Sequence, residues 1–211
     1  LDWMNGLGVR VRVYRLRNSA ARRVAALIRD VFGGTGGTGG SGGNGDCPWV
    51  GSTAPIATRV AQVMAQMTQA QKLTILHGNG GTSPYIGDVD GIPSLCIPSM
   101  GLEDGPDGVG DGMGGVTQMP TAVAAASTFD TALEQQYGAT VGAEFAGKGV
   151  QVSLGPTLNI VRDPRWGRAW ETFSEDPYLS GQMADADIRG IQSQGVMAQA
   201  KHAAVYNQET H

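Results

Sequence analysis

The chain has 211 residues, 41% of them hydrophobic, and a formal net charge of −4, which is enough length and apolar content for one globular domain with a sizeable core. No apolar run nears the ~20 residues of a transmembrane helix, which speaks against a membrane partner. Seven arginines against two aspartates leave residues 1–32 at +5 and the rest at −9, and an acidic main domain does not suggest nucleic acid as a partner.

Within residues 1–32, Val9 to Tyr14 alternates apolar residues with arginine as an edge strand does, while Val24, Leu27, Ile28 and Val31 are spaced as on an amphipathic helix. Neither pattern assigns the segment to a known module. Residues 33–45 hold nine glycines in thirteen positions, so they have few side chains to offset ordering entropy and read as a flexible linker. Residues 46–211 form the remaining unit. Cys47 and Cys96 are too few for a disulfide scaffold, and a bridge between them requires Cα atoms within about 7 Å.

Past the linker, Val60, Val63, Met64 and Met67 fall at helical spacing and predict one buried stripe. Thr68 followed by Gln71 reads as a capping box opening a second helix through Leu76. Gly91 to Leu102, punctuated by Pro93 and Pro98 with Leu95, Cys96 and Ile97 between them, reads as a short buried strand that ends at Glu103-Asp104-Gly105-Pro106. Gly110, Gly112 and Gly115 satisfy G-x-G-x-x-G, but Pro120 intervenes where a helix should start, which speaks against a dinucleotide site. Asp88 to Gly91 lacks the distal glutamate of a calcium loop. No cofactor or metal is expected.

Ala122 to Thr128 reads as an apolar strand, and Asp130 as the cap of a helix carrying Leu133, Tyr137 and Val141, stopped by Gly147 and Gly149. Val150 to Ile160 reads as the next strand. Asp176-Pro177 opens a helix whose buried face is Leu179, Met183, Ile188 and Ile191, and Val196 to Ala200 follows as a last strand. Alternating strands and helices imply an α/β fold with parallel strands and crossover helices. Asp104, the loop after Ile160, and Lys201 with His202 then share one end of the sheet. A (β/α)8 barrel and an open doubly wound sheet both build sites at that end.

The loop from Gly155 to Tyr178 concentrates Arg162, Arg165 and Arg168 beside Asp163, Glu171, Glu175 and Asp176, with Trp166, Trp170 and Phe173 among them. Two readings stand: a surface loop braced by ion pairs, or a polar binding site with an aromatic wall. Asn159, Arg162, Pro164, Gly167, Arg168, Glu171, Glu175, Asp176, Pro177 and Leu179 resemble the signature loop of glycoside hydrolase family 3, the β-glucosidase and β-xylosidase family. GLEDGPDGVGDG at 101–112, MPTAVAAASTFD at 119–130 and AKHAAVYNQET at 200–210 follow the family's order, so the resemblance runs from about Ile56 to the last residue.

The resemblance implies a partial (β/α)8 TIM-type barrel, its first half, in an extracellular retaining hydrolase acting on terminal non-reducing β-D-glucosyl residues. It implies that Asp104, Arg168, Lys201 and His202 bind the sugar in the first subsite, Asp104 accepting from two hydroxyls and the other three donating. Each has a structural counterpart: a turn for Asp104, ion pairs for Arg168 and Lys201, a core position for His202. Arg162, Asp163, Arg165 and Glu171 read as bracing the loop. The family's nucleophilic aspartate is expected beyond His211, in the missing C-terminal half of the enzyme, so the chain by itself is expected to hold no catalytic residue and to be inactive. The alternatives are a β-xylosidase-type member, or a non-catalytic sugar-binding module or decayed enzyme. Two departures from the family concern packing behind the site: Ala203 where an aromatic residue is common, and Tyr206 where asparagine is frequent. The histidine-rich loop of the β-N-acetylglucosaminidase branch does not follow His202.

Overall fold

The computed structural model describes residues 47–79, 83–203, 206 and 208–209. The expectations for the basic segment 1–32 and the linker 33–45 lie outside the described residues. The rest is a mixed α/β unit built on an open four-stranded sheet with strand order β1-β2-β3-β4. Strand β1 (Gly87–Val89) runs antiparallel to β2 (Met100–Asp104), which pairs in parallel with β3 (Val152–Leu154), itself parallel to β4 (Met197–Ala198).

Two helices precede the sheet. In α1 (Ile56–Gln66) the predicted stripe is only partly buried: Met67, just past the helix, is covered, but Val60 and Met64 remain 50% and 42% exposed. They line an open apolar groove of about 240 Å³ with Trp49, Val63, Ile75 and Ile97, because no other described residue packs over this face. The capping box of α2 (Gln69–Thr74) forms as read, with the Thr68 N–H donating to Gln71 Oε1 at 2.9 Å and the Gln71 N–H donating to Thr68 Oγ1 at 3.2 Å. Cys47 and Cys96 are disulfide-bonded with their Cα atoms 6.3 Å apart. Cross-linking residues that far apart in sequence removes unfolded-state entropy equivalent to roughly 4 kcal/mol on the chain-entropy account.

Three strand readings need correction. Pro93–Leu95 is a 3-10 turn, and Cys96 takes a left-handed conformation (φ 53°). The prolines remove ladder donors, so the chain only brushes itself through the Ile92–Ile97 bridge before the true strand begins at Met100. Ala122–Ala126 is a short helix, α3, since alanine is the best helix former and nothing β-branched but Val123 interrupts it. The strand predicted from Val150 to Ile160 is only three residues long, because Pro156 cannot donate to the ladder.

The two long helices follow their caps. Asp130 Oδ1 accepts from the N–H groups of Ala132 (2.9 Å) and Leu133 (3.1 Å) to open α4 (Thr131–Gly147). Asp176 Oδ1 accepts from Tyr178 N–H at 2.9 Å, ahead of Pro177, to open α5 (Pro177–Ser193). Tyr137, Val141 and Phe145 of α4 meet Ile191 of α5 and Val150 and Val196 beside the sheet in the main core, while Leu133 stays 48% exposed. Met183 is buried with Phe173 and α3, and Leu179 and Ile188 are half-buried. The helices touch backbone to backbone at Gly138, where a Cβ would overlap the Asp187 carbonyl, and at Gly190, where it would overlap that of Gln135. Truncating a filled core position such as Phe145 would cost roughly 3–5 kcal/mol.

Candidate sugar-binding site

Because β2, β3 and β4 are parallel, their C-terminal ends share one edge of the sheet. Asp104 is the last residue of β2. Arg168 lies in the loop after β3, immediately before a 3-10 turn at Ala169–Glu171. Lys201 and His202 follow β4. Thr157 fixes their register by bridging both Thr172 and Lys201, with Lys201 N–H donating to Pro156 O at 2.9 Å.

Lys201 Nζ stands 2.5 Å from Asp104 Oδ1, its side chain 15% exposed and that of Asp104 39% exposed. One of the three ammonium hydrogens is committed to this bond, and two remain. Arg168 grips Glu171 with two bonds, Nε to Oε1 and Nη2 to Oε2, both 2.6 Å. This pairing is the first cause holding the Arg168 pKa above its ordinary value. Its Nη1 donates to the Tyr206 hydroxyl at 3.1 Å, and Glu209 lies 3.9 Å away. The ion-pair reading of Arg168 and Lys201 is therefore realised, and so is the bracing role of Glu171. Asp163 likewise pairs with Arg165 at 2.6 Å, which draws its pKa down to about 2.

His202 is positioned by Asn159. The amide oxygen Oδ1 accepts from the His202 backbone N–H at 3.0 Å and lies 2.8 Å from the ring Nδ1. An oxygen already accepting from the backbone also accepts from the ring, so Nδ1 carries the hydrogen and Nε2 is left as an acceptor. Burial, then the Arg168 and Lys201 charges, lower the His202 pKa, which keeps the ring neutral at neutral pH. The donor role read for His202 from sequence changes accordingly: in its neutral form the remaining nitrogen accepts.

Asp104 is held from behind by Glu103, a fully buried residue whose Oε1 accepts from the Asp104 N–H at 2.9 Å and whose Oε2 accepts from the Ile86 N–H at 3.3 Å. Burial, the largest influence, raises the Glu103 pKa. Tyr206 belongs to the site in full. Its ring tilts against His202 with centroids 4.4 Å apart, meets the Trp166 edge at 5.5 Å, lies under the Arg168 guanidinium at 5.5 Å, and its hydroxyl bonds Glu209. The departure from the family at Tyr206 was the signal for that residue; nothing in the sequence marked Glu103, since Met100 and Leu102 place the apolar face of β2 on the other side. The aromatic wall is smaller than its composition suggests, since Trp166 and Phe173 are buried and Trp170 alone of the three is half-exposed.

A carboxylate, an ammonium, a guanidinium and a neutral imidazole thus gather at one strand edge, a donor and acceptor set suited to a polyhydroxylated ring. Among the described residues no cluster of three His, Cys, Asp or Glu side chains is arranged to hold a metal ion. The chain belongs to glycoside hydrolase family 3: residues 90–211 match the glycosyl hydrolase family 3 N terminal domain. It is 38% identical over 167 residues to β-glucosidase A of Aspergillus kawachii and 37% identical over the same length to β-glucosidase 1 of Aspergillus aculeatus, covering 77% of this chain and 19% of each relative. Its fold superimposes on a β-glucosidase from Streptomyces venezuelae in complex with D-glucose at TM-score 0.66 and 40% identity, over 72% of this chain and 20% of that one. A β-glucosidase from Chaetomella raphigera matches at TM-score 0.70 and 33% identity, over 80% of this chain and 23% of that one. The chain spans about a fifth of the length of the relatives it matches.

Proposed function

We propose that Asp104, Lys201, Arg168 and His202 bind the terminal non-reducing glucosyl residue of a β-glucoside or oligosaccharide, within a retaining β-glucosidase secreted from the cell. The observation that carries this is the Lys201–Asp104 contact beside Arg168 and His202 at the C-terminal strand edge, in a chain whose named relatives are β-glucosidases. Asp104 takes two neighbouring hydroxyls, Lys201 and Arg168 donate with the hydrogens that Asp104, Glu171 and Tyr206 do not use, and His202 Nε2 accepts. Hydrogen bonds of charged groups contribute roughly 1.5–3 kcal/mol each, enough to orient one ring. The parallel part of the sheet is read as the opening of a (β/α)8 barrel: β2, β3 and β4 follow one another in sequence order and are joined by crossovers, with β1 an antiparallel strand at the edge. The Cys47–Cys96 disulfide supports an oxidising, extracellular location.

Retaining hydrolysis needs a nucleophilic carboxylate and an acid/base about 5–5.5 Å apart. Glu171 is held by Arg168 and Asp104 by Lys201, and we place both catalytic groups outside these 211 residues. Incubation of the chain with 4-nitrophenyl β-D-glucoside is therefore expected to release no nitrophenol. Turnover that Lys201→Ala abolishes would overturn that placement.

A further inference from the structure

The open groove along α1, about 240 Å³, has no part in the binding described above. It is firmly built. Trp49 is 4% exposed and its indole N–H donates to Leu95 O at 3.0 Å, while the Cys47–Cys96 disulfide ties the chain entering the groove to the turn before β2. Val60 and Met64 stand exposed along it. Arg59, the one charged residue of the lining, is buried and donates its Nε hydrogen to Trp49 O at 2.7 Å. The groove therefore offers apolar contact, with little to hold a polar ligand.

The chain carries a second apolar stripe of the same spacing. Val24, Leu27, Ile28 and Val31 stand at i, i+3, i+4 and i+7, as do Val60, Val63, Met64 and Met67 of the groove. On a helix of that period Arg22 and Arg29 would fall on the opposite face, toward water. A helix from Ala20 to Phe32 would be about 20 Å long, against about 16 Å for α1. Only the glycine-rich stretch 33–45 and Asp46 separate Phe32 from Cys47, which packs against the Trp49 and Met67 cluster. A chain of that composition spans roughly 20 Å root-mean-square, enough to lay the segment back along α1. Such a tether holds it at roughly millimolar effective concentration, ahead of a second copy at micromolar concentration.

We propose that residues 20–32, which lie outside the described residues, dock in this groove as a helix, with Val24, Leu27, Ile28 and Val31 against Val60, Val63 and Met64. Segment, tether and groove then form one intramolecular contact, a helix-in-groove pairing anchored at i, i+3, i+4 and i+7. A basic amphipathic segment also suits an anionic membrane surface, but that partner would leave the groove open. The proposal is independent of the glucosyl reading of the strand edge.

Trypsin digestion of the full chain tests it, comparing cleavage after Arg23, inside the segment, with cleavage after Arg12, outside it; a valine follows each. Cleavage at Arg23 is expected to be at least about tenfold slower, since a docked helix must open before it is cut. An isolated helix of this length is marginal in water, so protection reports docking. Val60→Asp, which puts a charge in the groove at an exposed position, and Leu27→Asp, which puts one in the stripe, should each raise the Arg23 rate about tenfold and leave Arg12 unchanged. Together they should do no more than either alone. Leu27 is outside the described fold, so its substitution keeps the test open even where Val60→Asp disturbs folding. Equal rates at Arg23 and Arg12 in the parent, or protection unmoved by Leu27→Asp or by a Val60→Asp variant that melts with the parent, would overturn the docking. Protection that grows with protein concentration would overturn it in favour of a second copy, and protection gained only on adding phosphatidylserine vesicles in favour of a membrane.

Discussion

The molecule holds its carboxylates in two opposite ways. At the strand edge each carboxylate has a partner of complementary character: Asp104 has Lys201, Glu171 has Arg168, and Glu103 has two backbone N–H groups. Between α4 and α5, Glu134 and Asp187 are 1% and 2% exposed, Asp107 lies close by, and none of the three has an ion-pair partner among the described residues. Burial raises Glu134 to about 7 and Asp107 to about 6, and it pushes Asp187 well above the usual carboxylate range. Tyr137, which donates to Pro120 O at 2.7 Å and lies 3.5 Å from Asp107 Oδ1, is the hydroxyl beside them. The contrast separates the side of the domain proposed to bind sugar from the side that packs.

The sharpest way to break the packing side is steric. Gly138→Val forces a side chain onto the Asp187 carbonyl, parts α4 from α5 and should destabilise the chain by at least ~3 kcal/mol, more than most single substitutions. Urea unfolding midpoints measure it, and a variant within ~1 kcal/mol of the parent would mean the helices do not touch there.

A smaller effect separates the two sets of carboxylates by pH. Asp107 and Glu134 have folded pKa values above the ~3.9 and ~4.3 of unfolded chains, so they stabilise the fold fully below pH ~4 and lose that contribution as pH rises through about 6 and 7. Thermal melts should show the chain several degrees less stable at pH 8 than at pH 5. Glu134→Gln should flatten that slope, while Asp163→Asn, which removes a carboxylate titrating near pH 2, should leave it unchanged. A slope that Glu134→Gln does not alter would remove the protonated-cluster account.

On the recognition side, Tyr206→Phe deletes only the hydroxyl that receives Arg168 Nη1 and should weaken glucose binding about two- to fivefold, the worth of one modest hydrogen bond, with no change in melting temperature. Affinity equal to that of the parent would show that Glu171 alone orients Arg168.

What was legible in the sequence was local. The caps at Thr68, Asp130 and Asp176 were readable because a cap needs only a side-chain oxygen two or three residues from the N–H it accepts. Parallel strands were expected to send Asp104, the arginine loop, Lys201 and His202 to one edge, the resemblance to the family singled out Arg168 within that loop, and the structure does bring the four together. Strand and helix were confused at Ala122–Ala126, a short apolar run whose period does not distinguish them. The carboxylate cluster was not legible, since Glu134 and Asp187 meet only through the glycine-mediated contact of α4 with α5, and nothing near either residue in sequence marks it as buried. The acceptor character of His202 likewise depends on Asn159, which reaches it only across the sheet edge.

The central claim is that the Lys201–Asp104 pair holds a glucosyl ring, and titrating the full chain and its Lys201→Met variant with glucose tests it most directly. The account predicts saturable binding that falls at least about tenfold in the variant, the loss of one charged hydrogen bond, at a nearly unchanged melting temperature. Equal glucose affinity in a variant that melts with the parent would contradict it.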